Sequence, residues 1–161
     1  MRLEHEFSPI YAADSKILIL GSFPSVKSRE QGFYYGHPQN RFWKLLARIC
    51  RSEVPETIAD KKELCLSHGI ALWDVIGSCE IEGSSDSSIK NAEVNDLNVI
   101  LNKCSIKEIF VNGITAYKLF VKYQQKEIGR SAVKLPSTSP ANAAWSIDKL
   151  YSEWKTIERY I

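Results

Sequence analysis

The stretch "QGFYYGHPQNRFWKLL" (residues 31–46) places three aromatic rings, a histidine, a proline and an asparagine directly ahead of an amphipathic run. A core strand disfavours His-Pro-Gln-Asn, and a solvated loop disfavours Phe-Tyr-Tyr, so the combination describes the wall of a pocket. Asn40 carries a carboxamide that both donates and accepts hydrogen bonds but cannot take up a proton. It either caps the following helix or, if Pro38 opens that helix, stands in the first turn near the positive end of the dipole. There it would orient a water or stabilise charge. Tyr34 and Tyr35 are either core aromatics or a surface on which a flat ligand stacks.

Three further stretches carry polar chemistry. Asp74 follows "IALW", so a carboxylate ends an apolar run, as a turn cap or as a fixed acceptor for a ligand N–H. Ser137, Thr138 and Ser139 sit between prolines in "PSTSP", which reads as a rigid turn or as a clamp of hydroxyls and backbone N–H groups for a nucleic-acid phosphate. "GSFPS" (21–25) is neither a phosphate loop of the GxxxxGK[ST] type nor a GxSxG nucleophile elbow, and by itself is a strand exit with a turn.

These stretches need elements to hold them. Continuous apolar runs at 16–23, 70–75, 106–113 and 131–137 fit strands buried on both faces, as in a parallel sheet. Helical patterns cover 40–51 (with Arg41, Lys44, Arg48 and Arg51 opposite the apolar face), 55–68, 96–103 behind a possible Asn95 cap, 114–127, and the chain from Ser146. The polar loop "GSSDSSIKN" (83–91) is expected to be mobile. The order β-α-α-β-α-β-α-β-α, with crossovers long enough for right-handed βαβ units, predicts one domain over residues 1–161. Its fold is a three-layer α/β/α sandwich around a four-stranded parallel sheet of order 2-1-3-4. In such sheets ligands bind beyond the carboxyl ends of the strands, which is where "GSFPS", "WDVIGS", "NG" and "LPSTSPAN" fall.

Composition excludes several classes. A content of 44% hydrophobic and 25% charged residues with net charge +2 gives a sizeable core and no strong global field. No apolar run approaches the roughly 20 residues of a membrane span, and "MRLEHEFSPIY" lacks signal-peptide character. Cys50, Cys65, Cys79 and Cys104 are too dispersed for a cluster or a zinc site, and His5, His37 and His68 form no ligand pattern, so neither metal nor cofactor is expected. Free thiols in apolar runs fit a reducing, cytoplasmic setting.

The blocks "LILGSFPS", "GFYYGHPQNRFWKLL", "GIALWDVIGSC" and "LPSTSPAN" resemble the uracil-DNA glycosylase superfamily, and within it the hypoxanthine-DNA glycosylases of family six. The likeness runs from about residue 9 to the end. The resemblance implies a monofunctional enzyme that flips a deaminated base from duplex DNA and hydrolyses its N-glycosidic bond, acting as a monomer without a cofactor. It implies Asn40 as the catalytic residue; Gly21, Ser22, Phe23, Tyr35 and Asp74 as the base-binding set; and Ser137, Thr138 and Ser139 as contacts to DNA phosphates. Phe23 stands where the mismatch-specific branch has a catalytic Asn, and Leu135 stands where the classical enzymes have an electrophilic His. Uracil and xanthine remain alternative bases, and a non-catalytic nucleotide- or DNA-binding module is the rival reading.

Overall fold

The computed structural model describes residues 2–161. Four parallel strands form the central sheet: β2 (Ile17–Gly21), β3 (Ile70–Asp74), β6 (Glu108–Asn112) and β7 (Val133–Leu135), in the order β3-β2-β6-β7. Every residue of β2 and β3 is buried. Each large apolar side chain withdrawn from water there contributes about 1.5–3 kcal/mol, enough to overcome weak local propensity. The N-terminal segment seals the outer edge of β3, with Ile10 and Leu72 exchanging backbone hydrogen bonds.

Numbering the strands changes the expected order 2-1-3-4, because three further strands were not anticipated. β1 (Arg2–Glu4), β4 (Ile76–Glu80) and β5 (Lys90–Val94) form a separate antiparallel sheet, β1-β4-β5. Their sequences hide them: β1 has three residues, β4 is interrupted by Gly77 and Ser78, and β5 is mostly exposed and bulged against β4. This sheet has one function for the cleft: it carries the chain from β1 directly to His5, whose N–H bonds the Gly77 carbonyl at 2.7 Å.

Helices cover the parallel sheet. α2 (Phe42–Cys50), α3 (Ile58–Ser67) and α7 (Ile147–Trp154) form one connected group, in which α2 packs on α3 and α7, and α3 on β3; α5 (Ile114–Tyr123) packs on β6 and β7. Right-handed crossovers in opposite directions place these groups on opposite faces of the sheet. Side-chain caps define the starts of three helices. Ser25 accepts from Ser28 N at α1 (Val26–Gln31), Thr57 from Asp60 N at α3, and Ser146 from Lys149 N at α7. The expected helix at 96–103 contracts to α4 (Asn98–Leu101), and Asn95 does not cap it. Instead the Asn95 amide donates to the carbonyls of Asp74 and Ile76, fixing the exit of β3. The pattern at 114–127 splits at Gln124 into α5 and α6 (Gln125–Ile128).

Phe42 is the hub beneath the cleft. It is 1% exposed, stacks on Tyr35 with centroids 4.0 Å apart, and meets Trp43 and Trp154 edge to face. Replacing Phe42 by Ala should cost about 3–5 kcal/mol, the usual range for truncating a buried aromatic. Urea unfolding measures the loss, and a change below about 1 kcal/mol would show that the cavity collapses freely.

Candidate active site

The last residues of the four parallel strands, Asp74, Gly21, Asn112 and Leu135, lie side by side along one edge of the sheet; Gly21 is in register with Asp74, and Asn112 with Leu135. A cleft of about 320 Å³ opens above them. Every residue assigned to the site from sequence lines it: Gly21, Ser22, Phe23, Tyr35, Asn40, Asp74, Ser137, Thr138 and Ser139.

At the floor, Asp74 is nearly buried, and its Oδ2 lies 2.8 Å from His5 Nε2, with the two side chains 6% and 2% exposed. His5 Nδ1 accepts from the Phe7 N–H, at 3.3 Å. A ring nitrogen that accepts carries no proton, so Nε2 holds the hydrogen and donates it to Asp74. Asp74 Oδ1 makes no hydrogen bond among the described residues and lies against Gly21, where a Cβ would stand 2.5 Å from it. The absence of a side chain at Gly21 is what lets this carboxylate reach the cleft. Tyr35 presses on the same point, its hydroxyl 3.1 Å from that Cβ position. The hydroxyl is buried and makes no hydrogen bond of normal geometry among the described residues; burial drives its pKa far above the ordinary value, the Asp74 carboxylate adds to the rise, and the nearby Asn112 side chain opposes it. Tyr35 holds this place at φ +53°, a left-handed conformation uncommon outside glycine. Tyr34 is a core residue; its hydroxyl donates to the Ser8 carbonyl.

Asn40 lies two residues before α2, so it does not occupy the first turn; the formal cap is Arg41. Asn40 Oδ1 accepts from the Phe42 N–H at 2.9 Å and from the Thr138 hydroxyl at 2.8 Å. Both lone pairs of the carbonyl are therefore filled, and because a backbone N–H supplies one of the two donors, the identity of the oxygen is fixed. Asn40 Nδ2 makes no hydrogen bond among the described residues, so Asn40 presents a donor to the cleft.

Thr138 departs from its expected role. It has no exposed surface, its N–H donates to Asn112 Oδ1, and its hydroxyl receives Asn112 Nδ2 while donating to Asn40. It is a bridge between Asn112 and Asn40, not a phosphate contact. The loop's backbone donors are also committed: Ser139 N–H to Ser137 Oγ and Ala141 N–H to Ser139 Oγ. What Ser137 and Ser139 retain for an anion is their hydroxyl hydrogens. The loop also differs from expectation at its base. Arg41 does not join the exposed basic face of α2. Its guanidinium donates to the carbonyls of Thr138, Ser139, Asn142 and Trp145. The loop 83–91 is likewise engaged, with Ser84 Oγ accepting from the Val26 N–H and Asp86 Oδ1 from the Ser22 hydroxyl, each at 2.8 Å. Asp86 reaches the cleft beside Ser22.

Three residues of this site escaped the sequence reading, His5, Arg41 in its loop-holding role and Asp86, and Asn112 was placed at the ligand edge within "NG" without a role. Asn112 had a usable signal, a polar residue ending an apolar strand, the same logic that found Asp74. His5 had none, since its partner is 69 residues away.

The model of the uracil DNA glycosylase superfamily matches residues 8–159. The chain belongs to this superfamily. It is similar to a protein named hypoxanthine DNA glycosylase from Methanosarcina acetivorans, 33% identical over 98% of this chain and 99% of that one. A second protein of that name, from Methanosarcina barkeri, is 34% identical over 66% of this chain and 69% of its own length. The solution NMR structure of a protein provisionally assigned as a uracil DNA glycosylase, from Methanosarcina acetivorans, superposes with a TM-score of 0.83 at 31% identity, covering 99% of this chain and 98% of that one. The parallel sheet and the cleft at its carboxyl edge are thus the architecture of a superfamily member.

Two outcomes test this geometry. Gly21→Ala places a methyl 2.5 Å from Asp74 Oδ1, and the carboxylate must move; unfolding in urea should show a loss of about 1–3 kcal/mol, the usual cost of overpacking. Arg41→Lys replaces a planar fork by a point charge unable to serve four separated carbonyls. Hydrogen exchange of the 138–145 amides should quicken while that of β2 and β3 stays unchanged.

Proposed function

We propose that this chain is a monofunctional DNA glycosylase that takes a deaminated base, hypoxanthine in preference, out of duplex DNA and hydrolyses its N-glycosidic bond, leaving an abasic site. The observation that carries the reading is the half-used carboxylate at the cleft floor. Asp74 is fixed through Oδ2 by His5 and offers Oδ1 as an acceptor. Hypoxanthine presents an N1–H to such an acceptor, whereas adenine presents a bare lone pair that the carboxylate repels. Uracil and xanthine share the imino N–H, and the two relatives named hypoxanthine DNA glycosylase favour the purine.

A base inside the stack is out of reach, so the nucleotide must be flipped into the pocket and held by stacking and edge hydrogen bonds. Tyr35, backed by Phe42, and Phe23 flank the base. As the glycosidic bond lengthens, the sugar gains positive charge and the base negative charge. Asn40 Nδ2 supplies a fixed donor for the attacking water or for the departing base, held in place by the two bonds to its oxygen. The Phe23 N–H, which makes no hydrogen bond among the described residues, adds a second donor. No lysine lines the cleft among the described residues, so the chemistry proceeds by water and not through a Schiff base. A groove of about 730 Å³ continues from the cleft past Ser137, Ser139, Lys134 and Asn142, and takes the DNA backbone of a single duplex bound by a monomer.

The deciding experiment incubates the protein with duplexes carrying one inosine, uracil or xanthine, followed by alkaline cleavage of abasic sites. Cleavage at inosine is expected, and no cleavage of any duplex defeats the reading. Asn40→Ala should fold, still bind inosine DNA and lose on the order of 10²–10³ in single-turnover rate, the cost of one removed catalytic donor; as a helix cap alone, Asn40 would cost only about 1 kcal/mol of stability with the rate intact. Asp74→Asn should lower the rate on inosine and weaken discrimination against bases lacking an imino N–H. Binding to inosine duplexes should weaken as salt rises, through release of counterions from contacted phosphates.

A further inference from the structure

Asn40 leaves a gap in the chemistry. A hydrolytic water must lose a proton, and the only acceptor Asn40 owns is filled by Phe42 N–H and the Thr138 hydroxyl. Asn112 is a second carboxamide, which likewise cannot take up a proton, and its Oδ1 accepts from the Thr138 N–H. Asp74 is held by His5 at the floor, where the base edge belongs. The cleft contains one other carboxylate, Asp86.

Asp86 stands on an exposed stretch between β4 and β5, yet its carboxyl turns inward. Ser22 donates to Oδ1 at 2.8 Å, while Oδ2 makes no hydrogen bond among the described residues. The loop that carries it is pinned at two other places, by the Val26 N–H on Ser84 and by the Arg29 guanidinium on the Gly83 carbonyl. Asp86 also borders both cavities, together with Asn112, Ser137 and Ser139. With the base in the cleft and the backbone in the groove, the deoxyribose lies at that shared border.

We infer that Asp86 is the proton acceptor of the reaction, binding the attacking water through Oδ2 beside C1′ of the flipped nucleotide. This rests on the glycosylase reading above. The C1′–N9 bond breaks with its electron pair leaving on the base. The water oxygen bonds C1′, one water proton passes to the Asp86 carboxylate, and that proton then neutralises the base anion. The ionised carboxylate also faces the positive charge developing on the sugar. Desolvation raises the Asp86 pKa above its ordinary 3.8, the Ser22 hydrogen bond opposes the rise, and the Asp74 carboxylate adds to it. A raised value suits a proton acceptor better than an ordinary carboxylate. The other charged or titratable groups around it among the described residues are Tyr34, Tyr35 and His37 in the cleft, Cys79 and Arg29 beside the loop, and Lys134 and Glu153 in the groove.

Single-turnover excision of inosine, followed from acidic to neutral pH, tests the assignment. The wild-type rate should rise with pH along a limb whose midpoint lies above 3.8. Asp86→Asn should lose on the order of 10²–10⁴ in rate, together with that limb, and keep its affinity for inosine duplex. Ser22→Ala retains the carboxylate but removes a donor that favours its ionised form, so its limb should move to higher pH; this variant decides the matter if Asp86→Asn does not fold. An Asp86→Asn protein with the wild-type rate and profile, or a Ser22→Ala limb that does not move, overturns the inference. Equal, pH-independent losses in both variants would mark a purely structural tether and overturn it too. The parent reading fails separately: a wild-type protein inactive on all three bases, or an Asn40→Ala variant at full rate, defeats that reading, whereas an active wild type with a slow Asn40→Ala and a fast Asp86→Asn defeats only the role of Asp86.

Discussion

A hydroxyl can donate one hydrogen bond, and Thr138 gives its single donation to Asn40. In return it takes one from Asn112, and its own N–H closes a second link to that residue. Three chain segments more than 20 residues apart meet in this contact: the turn before α2, the end of β6 and the loop after β7. With no exposed surface at Thr138, water cannot replace a partner lost to it, and its hydroxyl or N–H left alone would be a buried unsatisfied group at a cost of about 1–3 kcal/mol. Thr138 therefore holds both carboxamides in one arrangement. It decides which atoms of Asn40 and Asn112 remain available to a ligand.

A second constraint is charge. Asp74 sits where water barely reaches, and a carboxylate there needs a hydrogen-bond partner. Its partner is an imidazole whose tautomer is set by the backbone N–H of Phe7, two residues further along the same segment. The antiparallel sheet, peripheral to the core, supplies this partner by leading β1 past β4. A small structural addition at the edge thus supports the most demanding electrostatic position in the cleft. Asp86 has a different setting, one oxygen held by the Ser22 hydroxyl and the other open to the cleft, so two carboxylates in one cleft are suited to different tasks.

The parallel sheet was legible because its strands are buried on both faces, and continuous apolar runs such as "KILILG" and "IALW" leave few alternatives. The residues that end those runs were legible for the same reason: Asp74 is conspicuous after four apolar neighbours. The boundaries of α2 were less so, since "HPQN" supports several starts and the tertiary bond from Thr138 helps select among them. What could not be read were pairings across long stretches of chain. Nothing near Arg41 indicates that its fork will meet carbonyls about a hundred residues later; an i, i+3 spacing with Lys44 points instead to a solvated face. Ser22 and Asp86 are each unremarkable in sequence and acquire meaning only from their 2.8 Å separation. The polar composition of the 83–91 loop suggested mobility, because composition counts hydroxyls without indicating that they will be paired.

The four carbonyls gathered by Arg41 have an effect on the opposite side of the loop. A peptide group is a dipole, and orienting its oxygen toward the guanidinium turns its positive end the other way. The segment 138–145 lies between Arg41 and the groove that runs past Ser137, Ser139 and Trp145. The Ser139 and Ala141 N–H groups are committed within the loop and the peptide after Ser139 is a prolyl one with no N–H, so an anion entering that groove meets the Ser137 and Ser139 hydroxyls, with a cation behind them that has no acidic partner among the described residues. That cation is half-buried and held by main-chain carbonyls, so it persists when the loop's own side chains are exchanged.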